Sequence, residues 1–180
     1  MTQERQKKMQ ILLRRFEQKD IAKKVEWIND SRNNTYLHYD LPLEIEKTEI
    51  WFEKNKDRTD RFDAVIEVDG KPVGLIGLLQ IDNKNQKAEW YICLGEQEFK
   101  GKGIAKIASL MLFEYAFDKL NLNKIYMFTE KDNVSAQMLF DKLGFQKEGL
   151  LKEDLIYNNR KVDRFFYGFT KQEFYAKYHN

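Results

Sequence analysis

The chain reads as an α+β fold built on one mixed β-sheet, and three observations predict it. Two alternating runs, residues 62–68 and 72–81, flank Asp69-Gly70, a strong hairpin signal, and a third run at 87–94 follows the polar turn 82–86. A helical repeat over 104–120 then separates the 87–94 run from the apolar run 124–129. That spacing suits a parallel strand pair joined by a right-handed crossover. Runs at 150–157 and 162–169 flank Asn158-Asn159-Arg160 and read as a closing hairpin. The predicted order is β-α-α-β-β-β-α-β-α-β-β, one domain over residues 1–180.

In chain order, residues 1–8 are polar and read as a frayed tail. Residues 10–16 form a first strand with imperfect alternation. Asp20 stands as a cap before a helix carrying Ile21, Val25, Trp27 and Ile28, and the polar cluster 29–34 ends it. An aromatic connection at 36–42 leads to a second helix over 44–56. Its stripe is Ile45, Ile50, Trp51 and Phe52, and its acidic first turn matches the helix dipole. Gly74 and Gly77 inside a strand signal a bulge or close packing. On the central helix Ile104, Ile107, Ala108, Met111, Leu112 and Tyr115 share one face, and Asn121 and Asn123 end it. A last helix over 133–143 is closed by Gly144.

Composition narrows the function. With 31 basic and 29 acidic residues the formal net charge is +2, so no global charge draws the chain to nucleic acid or membrane. Cys93 is the single cysteine, which excludes an intrachain disulfide and a multi-cysteine metal site. Within its apolar run it reads as a buried thiol. The N-terminus lacks the apolar core of a signal peptide, and no run reaches the ~18 apolar residues of a membrane span. A cytoplasmic protein with no metal and no nucleic-acid or membrane partner is expected.

The chemistry concentrates at Lys100-Gly101-Lys102-Gly103-Ile104-Ala105, between a strand and a helix. Glycines there let backbone N–H groups approach an anion, and the helix dipole favours negative charge. Taken alone this is an ordinary tight turn. Two further stretches give it context. Residues 98–105 resemble the acyl-CoA signature Gln/Arg-x-x-Gly-x-Gly/Ala of the GNAT superfamily of acetyl-CoA-dependent N-acetyltransferases, with Lys100 where Gln or Arg is usual. Asn133-Val134-Ser135-Ala136 with Phe140-Asp141-Lys142-Leu143-Gly144-Phe145 resembles that family's second motif, and the Asp69-Gly70 hairpin is a weaker third. The order of elements fits from Ile11 to Phe169. Tyr115-Ala116-Phe117 and Leu122-Asn123-Lys124-Ile125-Tyr126 are similar to the branch acting on ribosomal-protein alanine and on spermidine. Residues 32–53 are also similar to acetyltransferases of nucleotide-linked amino sugars.

The resemblance implies acetyl-CoA as cosubstrate and a central sheet with a splayed strand pair. N–H groups from Gly101, Lys102, Gly103, Ile104, Ala105 and Lys106, with Lys100, would cradle the diphosphate. The strand end Cys93-Leu94 would part from 127–129 and pair with the pantetheine arm, and an N–H near Leu94 would face the oxyanion. Asn133 would cap its helix and touch the cofactor. Alternation puts Glu89, Tyr91 and Cys93 on one strand face. Glu89 is the candidate base; its bland alternative is a surface carboxylate. Phe140 occupies the position of the family's usual proton-donating tyrosine beside sulfur. A phenyl ring has no proton to give, so another residue (Tyr91, Tyr126 or Ser135) or water supplies it, or the thiolate leaves without a dedicated acid. Arg32, Asn33, Tyr36, His38, Tyr39 and Asp40, with Tyr157, Arg160 and Asp163, would form the acceptor site. That mixture suits a small primary amine, an amino sugar slightly ahead of a polyamine. Acetylation of a protein N-terminus, as on a ribosomal protein, and a degenerate CoA-binding module are the alternatives, and a homodimer is admitted.

Overall fold

Asp69 and Gly70, at φ 50° and 80°, turn the chain between β2 (Phe62–Val68) and β3 (Lys71–Asp82). Glycine takes this left-handed conformation without steric cost, which is why the pair works as a hairpin. The structure is a computed structural model and describes residues 9–179. The tail expected at residues 1–8 lies outside the described residues.

Before this hairpin come β1 (Ile11–Arg15), α1 (Ile21–Asn29), the short α2 (Ser31–Asn34) and α3 (Ile45–Asn55). After it come β4 (Lys87–Leu94), α4 (Ile104–Asp118), β5 (Lys124–Glu130), α5 (Val134–Leu143), β6 (Gln146–Tyr157), β7 (Arg160–Thr170) and α6 (Lys171–Tyr178). The strands make one seven-stranded sheet in the order β1-β2-β3-β4-β5-β7-β6. Every neighbouring pair is antiparallel except β4 and β5. Their parallel register covers only Lys87↔Lys124, Ala88↔Ile125 and Glu89↔Tyr126. Beyond Glu89 and Tyr126 the two strands part, and this is the splay.

Each sheet face has its own cover. One face packs Ala88, Trp90, Ile125 and Met127 against α4, α5 and α6. Trp90 is its centre, edge-on to Phe113 and Phe140 and stacked on Phe145 at 5.5 Å. The opposite face carries a smaller cluster, Trp27 of α1 with Val65 and Leu75, joined by Phe16 and Tyr91. Gly95 permits the Trp27 contact, since a Cβ there would lie 2.1 Å from the indole.

Four local expectations change. The buried face of α4 is Ile104, Ala108, Leu112, Phe113, Ala116 and Phe117, whereas Ile107 is exposed. Phe113 and Phe117 turn inward because aromatics of β4, β7 and α6 meet them there. On α3, Ile45 and Ile50 face solvent while Trp51 turns to Phe16 at 6.0 Å. Asp20 does not cap α1 through its side chain; both its oxygens accept from Arg14, at 2.7 and 2.8 Å. The helix α6 was not expected. Its signal is the pair Thr170 and Glu173, which form a capping box.

Candidate active site

Two glycines shape the helix end. Gly103 caps α4 at φ 79° and Gly101 precedes it at φ 75°; a Cβ on either would meet nothing within 4 Å. Gly103 has no side chain to offer the first turn, so no cap bonds the N–H groups of α4's opening residues. Unpaired donors, open space and the positive helix end together fit a diphosphate. Lys102 and Lys106 are exposed beside it, and Ile104 anchors the turn in the core.

Lys100 departs from its expected place. Its Nζ donates to Asn33 Oδ1 at 2.6 Å, where Gln97 Nε2 also donates at 2.7 Å. The Asn33 amide donates in turn to the carbonyls of Trp27 and Gly95, each at 3.0 Å. One asparagine thus ties α1, α2, the end of β4 and the glycine turn together. The reason is proximity: α2 lies beside the turn, and two of its neutral acceptors, Asn33 Oδ1 and the Arg32 carbonyl at 3.4 Å, draw the ammonium.

At the splay, the strand faces sort the candidates. Leu94 packs with the α4 core, while Cys93 is on the opposite face with Glu89 and Tyr91. Burial pushes the Cys93 thiol up to about 11, against the pull of Lys100, so it is a protonated, inert thiol at neutral pH. Glu89 holds the last rung before the strands part. Burial raises its pKa above the usual carboxylate range, opposed by the charge of Arg164. It forms no ion pair among the described residues, and its one side-chain partner is Gln80 Nε2 at 3.4 Å. A carboxylate held so loosely at the vertex is suited to exchange a proton.

The proton donors separate clearly. Phe140 is 2% exposed, its ring 5.7 Å from Trp90 and 5.2 Å from Tyr167. It packs as a core side chain of α5, and with no hydroxyl it has no proton to give. The Tyr91 hydroxyl donates to Asp63 at 2.6 Å; burial and that carboxylate push its pKa well above the ordinary range. Ser135 is exposed on α5. Tyr126 stands across the rung from Glu89, its pKa raised by burial and then by Glu89. Asn133 caps α5, its Oδ1 accepting from Ala136 N at 3.1 Å, which leaves its amide donors for another partner.

The acceptor-side residues divide. His38 and Arg160 converge on Glu130, the last residue of β5, which is 3% exposed, and Tyr157 packs edge-on against the His38 ring. Tyr36 donates to the Asp132 carbonyl at 3.1 Å, and Tyr157 to the Tyr39 carbonyl at 2.9 Å. Arg32 instead pairs with Asp30 at the surface, and Asp163 accepts from Glu153 N at 2.9 Å. Asp40 is exposed. The sequence reading missed Glu130 and Asp63. Alternation through Tyr126, Phe128 and Glu130 puts Glu130 on the Glu89 face, a signal that was available.

A parallel pair opened beside a glycine-capped helix end is the frame of an acyl-CoA-dependent transferase. The family profile described as acetyltransferase (GNAT) domain matches residues 10–146. The spermidine N(1)-acetyltransferase of Escherichia coli is 30% identical over 152 residues, 83% of this chain and 80% of that protein. The putative ribosomal N-acetyltransferase YdaF of Bacillus subtilis is 32% identical over 111 residues, 62% of this chain and 60% of that one. The crystal structure of spermidine N-acetyltransferase from Vibrio cholerae in complex with CoA and spermine superposes with a TM-score of 0.84 at 27% identity, covering 92% of this chain and 98% of that one. The chain belongs to the GNAT acetyltransferase family. It is an N-acetyltransferase with acetyl-CoA as its cosubstrate.

Proposed function

We propose that this protein acetylates a primary amine of a small molecule by direct transfer from acetyl-CoA, with an aliphatic polyamine ahead of an amino sugar. The observation that carries the reading is Glu89: a carboxylate at the vertex of the splay with no ion pair among the described residues, on the face where His38, Tyr157 and Arg160 gather. A cationic amine is drawn to such a group, which is why the polyamine moves ahead. The spermidine acetyltransferases among the relatives support the same order.

In the reaction the amine nitrogen bonds to the acetyl carbon and the carbon–sulfur bond breaks. The thioester supplies an activated acetyl group when bound at the α4 turn. N–H groups of Gly101 to Lys106 hold the donor's diphosphate, and a β4 N–H near Leu94, freed by the splay, faces the oxyanion. Glu89 takes a proton from the nitrogen. Tyr126, across the rung, is the hydroxyl we assign to the departing sulfur; its raised pKa keeps it protonated until then.

Thiol release from acetyl-CoA with spermidine, spermine, putrescine, glucosamine, a nucleotide-linked amino sugar and an alanine-starting peptide tests this. Turnover on the polyamines is the expected result. Turnover on the peptide alone would replace the small-molecule reading with protein N-terminal acetylation, and turnover on the sugars would restore the amino-sugar order.

A further inference from the structure

Past the vertex, three chain segments close on the end of β5. Glu130 lies four residues beyond Tyr126, as Cys93 lies four beyond Glu89, so the register carried forward sets Glu130 level with Cys93 at the open end of the splay. Its carboxylate accepts from His38 Nε2 at 2.8 Å through Oε1, and from Arg160 at 3.2 and 3.0 Å through both oxygens. The guanidinium adds a positive charge to a carboxylate that is almost wholly buried. A carboxylate accepting from both partners keeps the imidazole hydrogen on Nε2, and the lone pair is then on Nδ1. This is the arrangement by which a carboxylate orients a histidine base.

The ring is held as well as polarised. Tyr157 meets it edge-on at 5.1 Å, and the Tyr157 hydroxyl anchors on the neighbouring Tyr39 carbonyl. Tyr36 pins the same loop to Asp132. The His38 side chain still keeps 22% of its surface exposed, so a proton received there has a route to water. The charged and titratable groups about it are Glu130 on β5, Tyr157 on β6, Arg160 on β7, and Tyr36, Tyr39 and Asp40 on its own loop.

We propose that His38 Nδ1 takes the first of two protons that the acceptor nitrogen must lose, with Glu130 and Arg160 as positioning residues. An amine arrives at neutral pH as R–NH3+, which has no lone pair to attack with. His38 removes one proton and passes it to water. The nitrogen then attacks, the N–C bond forms, the C–S bond breaks, and Glu89 removes the second proton and gives it up to water. The sulfur gains one from Tyr126, which is refilled from water, so one proton is released per turnover. The inference rests on the acetyl-transfer reading above.

The test is kcat/KM for spermidine against pH for the wild type, His38→Ala, His38→Gln and Glu130→Gln, with acetyl-CoA binding by calorimetry as a check of folding. Both His38 variants should lose about 100-fold near pH 7, within the usual range for a general base. The loss should shrink as pH approaches the ammonium's own pKa, where the amine frees itself. Added imidazole should restore part of the His38→Ala rate and none of the Glu130→Gln rate. A His38→Gln rate and pH profile equal to the wild type would overturn the proposal. So would a loss that is constant with pH and not rescued, the mark of a structural role. A wild type silent on every amine would remove acetyl transfer to small amines as well, which separates that failure from failure of the histidine alone.

Discussion

Lys24 offers a prediction whose sign depends on pH. The residue is 7% exposed on α1, with its Nζ 3.2 Å from the Trp51 ring centroid and 5.7 Å from Phe16. Among the described residues no carboxylate lies within ion-pair distance of it. Burial lowers its pKa from 10.5 to about 8, opposed by Asp63 and aided by Arg61. A lysine with a folded pKa below its unfolded one destabilises the fold fully below about pH 8, and the penalty fades as pH rises from there to 10.5. At about 1.36 kcal/mol per pH unit the penalty is about 3 kcal/mol. The Trp51 contact returns about 1–2 kcal/mol of it. Lys24→Met removes the charge and keeps a flexible chain against the indole. The variant should therefore be more stable than wild type by about 1–2 kcal/mol at pH 7, with the gap narrowing at pH 8.5 and 9.5. Urea unfolding of both proteins at the three pH values measures it. A variant less stable at pH 7, or a gap that does not move with pH, would refute the reasoning.

Three further outcomes follow from the site and its supports. Glu89→Gln should lower kcat by ~10²–10⁴-fold while acetyl-CoA affinity stays within about threefold; unchanged turnover at neutral pH would remove Glu89 as the base. Gly103→Val puts a β-branched residue at φ 79° and a side chain into the open space over α4, so acetyl-CoA binding should be lost in calorimetry with the fold retained by circular dichroism. An unaltered affinity would sink the turn assignment. Gly95→Ala drives a Cβ to 2.1 Å from the Trp27 ring and should cost about 1–3 kcal/mol in denaturant unfolding.

Periodicity and turn chemistry made most of the fold legible. The Asp69-Gly70 hairpin, the crossover helix and the Gly144 helix stop depend on nearest neighbours, and each formed within a few residues of its expected bounds. Helix faces were read less well. A count of apolar residues on α4 cannot tell that Phe113 and Phe117 go inward and Ile107 outward, because that choice depends on the aromatics of β4, β7 and α6. Charged side chains followed the same rule. Asp20 and Lys100 stand where local logic assigns a cap and a phosphate contact, yet partners six and sixty-seven residues away took their hydrogen bonds.

The sequence by itself determined the glycine turn that we propose holds the donor. A turn that requires positive φ, followed at once by a helix, is written in consecutive residues, and its two glycines need no distant partner to adopt that shape. Tertiary structure decided the acceptor side that we propose. His38 and Arg160 lie 92 and 30 residues from Glu130 in sequence and meet it only because the His38 loop and the start of β7 come together at the end of β5. The burial that makes Glu130 a rigid acceptor, and that lifts the pKa of Glu89 at the vertex, is a property of the packed sheet and not of either residue alone.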